Sequence, residues 1–153
     1  MTYWDRKLIR EQLDEKLEKL SPLLSISPDL GWIKTIREAL GMSSKQLGKR
    51  AMMDQPRISR LEDPENQNDP RISTLNKIAK GLNMKFVYGF VPESSLEDMV
   101  REQAKTIALK RMEKVNHTMR LEEQELSEGQ KKKVLEDLIQ KIMIEEPKDL
   151  WGI

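Results

Sequence analysis

The sequence predicts a mainly α-helical fold with one short β-strand, and three observations predict it. Apolar residues recur at helical spacing through most of the 153 positions. Cap residues (Ser or Asp, often with Gln or Asp three positions on) stand at the start of the periodic segments. Only one stretch, residues 85–91, alternates with a period of two.

Residues 4–20 form the first expected helix, with Ile9, Leu13, Leu17 and Leu20 as its apolar stripe and Ser21-Pro22 as its end. Residues 23–26 read as a short extended linker. Ser27-Pro28-Asp29 has the form of a helix start, followed by a stripe of Ile33, Ile36 and Leu40 and a stop at Gly41. Ser43 with Gln46 makes a capping box for the next helix. Residues 54–62 form another, capped by Asp54, with Pro56 in the first turn. A polar loop from Asp63-Pro64 to Asp69-Pro70 follows. Ser73 is the expected cap of a helix carrying Leu75, Ile78, Ala79 and Leu82.

In the alternating stretch, Phe86, Tyr88 and Phe90 interleave with Val87, Gly89 and Val91, and Pro92 closes it. A long helix then opens at Ser94-Ser95 and carries Leu96, Val100, Ala104, Ala108, Met112, Val115 and Met119 on one stripe. Its methionines suit a core or a dimer seam more than an adaptable partner surface. Ser127 and Gln130 open a last helix containing Leu135, Leu138, Ile139 and Ile142, and Pro147 ends it. An apolar tail of Leu150, Trp151 and Ile153 follows.

Composition limits function. Hydrophobic residues make up 37% and charged residues 35%, enough for a modest core. There is no cysteine, so neither disulfides nor thiolate chemistry are available. No apolar run has membrane-spanning length, and the charged first twenty residues do not read as a signal peptide; a soluble cytoplasmic protein without membrane contact is expected. His117 is the one histidine, which leaves no zinc ligand set and no triad, and it reads as a surface or helix-end residue. No phosphate-binding glycine loop is present. No catalytic residue, metal or cofactor is expected, and the protein reads as a non-enzyme. Lys131-Lys132-Lys133 reads as a solvated helix start.

The net charge of +1 conceals segregation. Residues 43–62 carry five cations against two carboxylates, a net +3, while residues 93–153 are net −3. A local basic face is the footprint of phosphate contact. The same segment, 42–62, has the pattern of two short helices joined by a tight turn. Leu47 and Ala51 face inward from the first, Ile58 and Leu61 from the second, and Gly48 is small where the two cross. Gln55, Pro56, Arg57, Ser59 and Arg60 are left outward as base-reading residues. Gln pairs bidentately with adenine and Arg with guanine. Ser44, Lys45, Lys49 and Arg50 are the expected phosphate contacts.

These residues resemble the phage-repressor-like (XRE-type) helix-turn-helix family. The resemblance covers about residues 28–84 and rests on Gln46-Leu47, Gln55-Pro56 and Ser59-Arg60-Leu61-Glu62. Two positions depart from the family pattern. Met52 stands where the turn has glycine, and Gly48 where the first helix has alanine. The chain is therefore expected to divide into an N-terminal helical arm (1–26), a helix-turn-helix DNA-binding domain (27–84), a strand suited to dimer pairing (85–92) and a C-terminal helical region (93–153).

Four further segments resemble the family called mobile mystery protein A: "GWIKTIREALGMSSKQLGKR", "KFVYGFVPESSLEDMVREQA", "VNHTMRLEEQ" and "DLWG". That resemblance implies a mobile-element or toxin–antitoxin setting, with a neighbouring Fic-domain protein of the class that transfers AMP to protein hydroxyls. The inhibitor motif of some Fic regulators is not matched, because Thr118 and Glu122 are followed by Glu123. The leading expectation is a homodimeric autorepressor on an inverted-repeat operator in double-stranded DNA, antitoxin-like toward a Fic partner. Its dimer seam is placed at Phe86, Val87, Tyr88 and Phe90, and partner docking at Leu150 and Trp151. The alternatives are an interaction module that sequesters the Fic partner, with the helix-turn-helix as scaffold, and a stand-alone prophage repressor.

Overall fold

The computed structural model describes residues 1–26, 31–63, 65, 69–121, 127–145 and 147–152. The expected helix start at Ser27-Pro28-Asp29, Pro64 of the polar loop, Glu122, Glu123, Ile153 and the side chain of Met119 lie outside the described residues. The chain divides into two compact units, one made of Leu20–Phe90 and the other of Met1–Lys19 with Val91–Ile153.

The Leu20–Phe90 unit contains a 3-10 turn at Ser21–Leu24, then α2 (Trp32–Ala39), α3 (Ser44–Ala51), α4 (Gln55–Glu62) and α5 (Ile72–Gly81), while α1 (Tyr3–Glu18) belongs to the other unit. Its core is Leu47, Ala51, Met53, Ile58, Ile78 and Leu82, flanked by Ile33, Ile36, Met42 and Leu61. Leu40 is not part of this stripe: it is 55% exposed, at the end of α2 where Gly41 (φ +66°) turns the chain away. Ser43 and Gln46 form the expected reciprocal box, with Ser43 N donating to Gln46 Oε1 at 2.8 Å and Gln46 N donating to Ser43 Oγ at 3.1 Å. α5 begins one residue before the expected Ser73 cap, with Arg71 at the cap position and no side-chain cap.

Two glycines allow the helices to approach. A Cβ on Gly48 would lie 2.7 Å from the Met53 carbonyl oxygen, closer than real contacts permit. A Cβ on Gly81 would lie 3.2 Å from the Ala51 nitrogen and from Leu47 Cδ1, so α5 rests directly on α3. A part-buried ion pair ties α2 to α4. Arg37 Nε donates to Glu62 Oε1 at 2.7 Å and its Nη2 to Oε2 at 3.0 Å, while Nη1 donates to the Met42 carbonyl at 2.7 Å. The hydrogen bonds to Glu62 hold the Arg37 guanidinium above its ordinary pKa despite burial.

Residues 85–91 are not a strand, and no strand occurs among the described residues. Alternation alone does not make a strand, because a ladder needs a mate. Residues 23–26, the nearby segment expected to be extended, include the end of the 3-10 turn at Ser21–Leu24. The period of two nevertheless places Phe86 and Tyr88 on one side, where their rings stack with centroids 5.9 Å apart.

The second unit consists of α1 (Tyr3–Glu18), α6 (Leu96–Leu121) and α7 (Glu128–Glu145). Ala104 and Ala108 lie on the α6 stripe and are fully buried, which lets α7 come close with Ile139, Ile142 and Met143. Ser127 and Gln130 cap α7 reciprocally, as their spacing predicts. The expected apolar stripe of α1 is not its buried face. Ile9 and Leu13 are 40% and 39% exposed, while Arg10 is buried. The reason lies in α6. Its first amides lack intrahelical acceptors, and Asp14 of α1 supplies them, accepting from Leu96 N at 2.6 Å and from Glu97 N at 3.3 Å. Arg10 Nε pairs with Glu97 Oε2 at 2.7 Å beside it.

Candidate nucleic-acid interface

The turn between α3 and α4 is built by hydrogen bonds that the sequence spells out. α3 ends at Met52, whose N–H donates to the Gly48 carbonyl and whose backbone is left-handed (φ 56°, ψ 43°). Met53 N donates to the same carbonyl at 2.8 Å and turns its side chain into the core. Asp54 then caps α4, accepting from Arg57 N at 2.9 Å, and Pro56 occupies the first turn, where no N–H is needed. Ile58 is fully buried and Leu61 packs beside it, so the opposite face of α4 is fixed outward.

That outward face carries Gln55, Pro56, Arg57, Ser59 and Arg60, all exposed. Gln55 Nε2 donates to Ser44 Oγ at 3.3 Å, which joins the start of α4 to the start of α3. Arg57 is displaced sideways, toward α5, where its Nη2 donates to Thr74 Oγ1 at 3.4 Å. Lys45 and Lys49 are exposed on α3. Arg50 is committed elsewhere: its Nε donates to the Gly81 carbonyl at 2.6 Å and its Nη2 to Asn83 Oδ1 at 3.1 Å, closing the C-terminal end of α5. Of the two carboxylates in 43–62, Glu62 is turned inward against Arg37 and Asp54 is held by its cap. The cations of this face are therefore little offset.

The sequence reading missed the contribution of α5. Arg71, Ser73, Thr74 and Lys77 join Arg57 and Arg60 around an open cleft of about 500 Å³, with Asp69 as its carboxylate. The available signal was the spacing of Arg71, Thr74 and Lys77, three apart along one face of a helix.

Residues 33–88 match the family model described as Helix-turn-helix. This segment is a helix-turn-helix domain. In that arrangement the second helix of the pair lies in the major groove of DNA, and its N-terminal residues reach the base edges. α4 holds the position of the second helix of the pair here. No curated protein and no solved structure matches the chain.

Outside this domain, Leu150 is buried in the core of the α1–α6–α7 unit, and its carbonyl accepts from Gln103 Nε2 at 2.6 Å. Trp151 beside it is 59% exposed. In the Leu20–Phe90 unit Phe86 is half-buried, while Val87, Tyr88 and Phe90 are exposed. His117 is exposed on α6, and Thr118 Oγ1 donates to the Lys114 carbonyl. Among the described residues no cluster of potential metal ligands occurs, and no helix is long and apolar enough to cross a membrane.

Proposed function

We propose that the protein is a sequence-specific DNA-binding transcriptional regulator that represses its own operon and is not an enzyme. The carrying observation is the construction of α4. Ile58 and Leu61 lock one face into the core, and Gln55, Ser59 and Arg60 stand on the other with cations to either side. Gln55, Arg57, Ser59 and Arg60 face base edges, and Ser44, Lys45 and Lys49 meet phosphates; Arg50 has a structural role at the end of α5. Footprinting on the DNA upstream of the protein's own gene tests this reading. Protection of an inverted repeat is expected, and equal affinity for that DNA and for a random duplex would overturn it.

The repressor acts as a homodimer, joined through the apolar side chains of Val87, Tyr88 and Phe90 and not through a β-ladder. Phe90 is 90% exposed, a large apolar area for a surface with no covering partner. Light scattering on wild type and on F90D tests it, and a monomeric wild type at micromolar concentration would exclude it. Resemblance to the mobile mystery protein A family supports an antitoxin-like pairing with a Fic-domain protein, with exposed Trp151 as the docking side chain. Copurification of the neighbouring gene product with wild type but not with W151A is the expected result.

A further inference from the structure

The cleft between α4 and α5 gathers cations from both helices. Arg57, Arg60, Arg71 and Lys77 line it, and Asp69 is the carboxylate among its described lining residues. Arg57, Arg71 and Lys77, converging on one concavity, repel one another, and an anion seated among them relieves that repulsion. The position of Arg57 is the second observation. A residue that reads guanine must project its planar fork away from the helix into the groove. Arg57 instead extends sideways and donates to Thr74 Oγ1, a buried hydroxyl of α5. At 3.4 Å this is a long, weak contact, readily exchanged for the shorter bond of a guanidinium to an anionic oxygen. Ser73 adds a hydroxyl to the same cleft.

We propose that this cleft takes a phosphodiester of the DNA backbone, with Arg57, Arg71 and Lys77 as its ligands, so that Arg57 contacts phosphate and does not read a base. The proposal rests on the DNA-binding reading above and reassigns one of its residues. The base-reading set is then reduced to Gln55, Ser59 and Arg60, and α5 becomes a second anchor that sets how α4 enters the groove.

Salt titrations with the full-length protein separate the two roles. Binding is measured to the duplex upstream of the protein's own gene and to a random-sequence duplex. Losing one phosphate contact lowers the slope of log K against log salt by about 0.9. R57A is expected to lose that much on both duplexes and to weaken both by the same factor, as are R71A and K77A. R57K keeps a point charge but not a bidentate fork, so it should restore the slope and most of the affinity. An R57A protein that keeps its slope on the random duplex and loses only its preference for the upstream duplex would overturn the proposal. Wild type that binds neither duplex would overturn the DNA-binding reading itself, and this proposal with it.

Discussion

Replacing Met52 with glycine should stabilise the helix-turn-helix unit. Met52 holds a left-handed backbone, φ 56° and ψ 43°, in which Cβ crowds the following carbonyl at a cost of about 1–2 kcal/mol. Its side chain is 84% exposed, so removing it forfeits only roughly 0.4 kcal/mol of burial. Glycine also gives the unfolded chain more freedom, which costs about 0.7 kcal/mol. The net gain for M52G is then about 0.4 kcal/mol, from the strain less those two losses. M52A is the decisive control. It loses the same burial but keeps Cβ, so it should fall about 0.4 kcal/mol below wild type. The gap of about 0.8 kcal/mol between the two is the backbone strain less the entropy cost of glycine, and it corresponds to ~3–6 °C in Tm for a unit of this size. Trp32 lies in this unit, whereas Trp4 and Trp151 lie in the other. Fluorescence-monitored melting in a W4F/W151F background therefore follows the correct transition. M52A as stable as M52G would refute the strain argument.

Three further outcomes follow from packing and charge. G48A gains about 1 kcal/mol of helix propensity but pushes a Cβ to 2.7 Å from the Met53 carbonyl, so denaturant melts should show a net loss of about 1 kcal/mol; a gain would mean the turn yields easily. E62A removes both Glu62 bonds from the part-buried Arg37 guanidinium, which keeps its bond to the Met42 carbonyl, and should cost about 2–3 kcal/mol in the same melts. Acid should loosen the other unit, because hydrogen bonds from Thr2 lower the pKa of Asp5 and the Arg101 guanidinium lowers that of Glu136. A carboxylate with a depressed folded pKa contributes fully above its ordinary value, here 3.8 and 4.5, and loses that contribution as pH falls through the folded value. Far-UV circular dichroism should therefore fall on acidification in wild type, and less steeply in D5N.

Local chemistry made much of the molecule legible from sequence alone. Ser43 with Gln46, Asp54 ahead of Pro56, and Ser127 with Gln130 each announce a helix start through neighbours two or three positions away, and all three are present. The outward set on α4 followed from Ile58 and Leu61, because a 3.6-residue period that buries one face exposes the other. The strain at Met52 was likewise readable, since a tight turn needs a positive φ whatever residue stands there. Tertiary structure decided what depends on partners distant in the chain. Residues 85–91 alternate like a strand, but no mate stands beside them among the described residues, and they form no ladder there. The stripe of α1 lost to Arg10 and Asp14 because the open amides of α6, more than eighty residues away, bind a carboxylate better than its neighbours bind leucine. Arg50 and Arg57 look alike as exposed cations in sequence. Only the placement of α5 sends one to the Gly81 carbonyl and the other to Thr74, since hydrogen-bond partners are set by distance in space and not by distance along the chain.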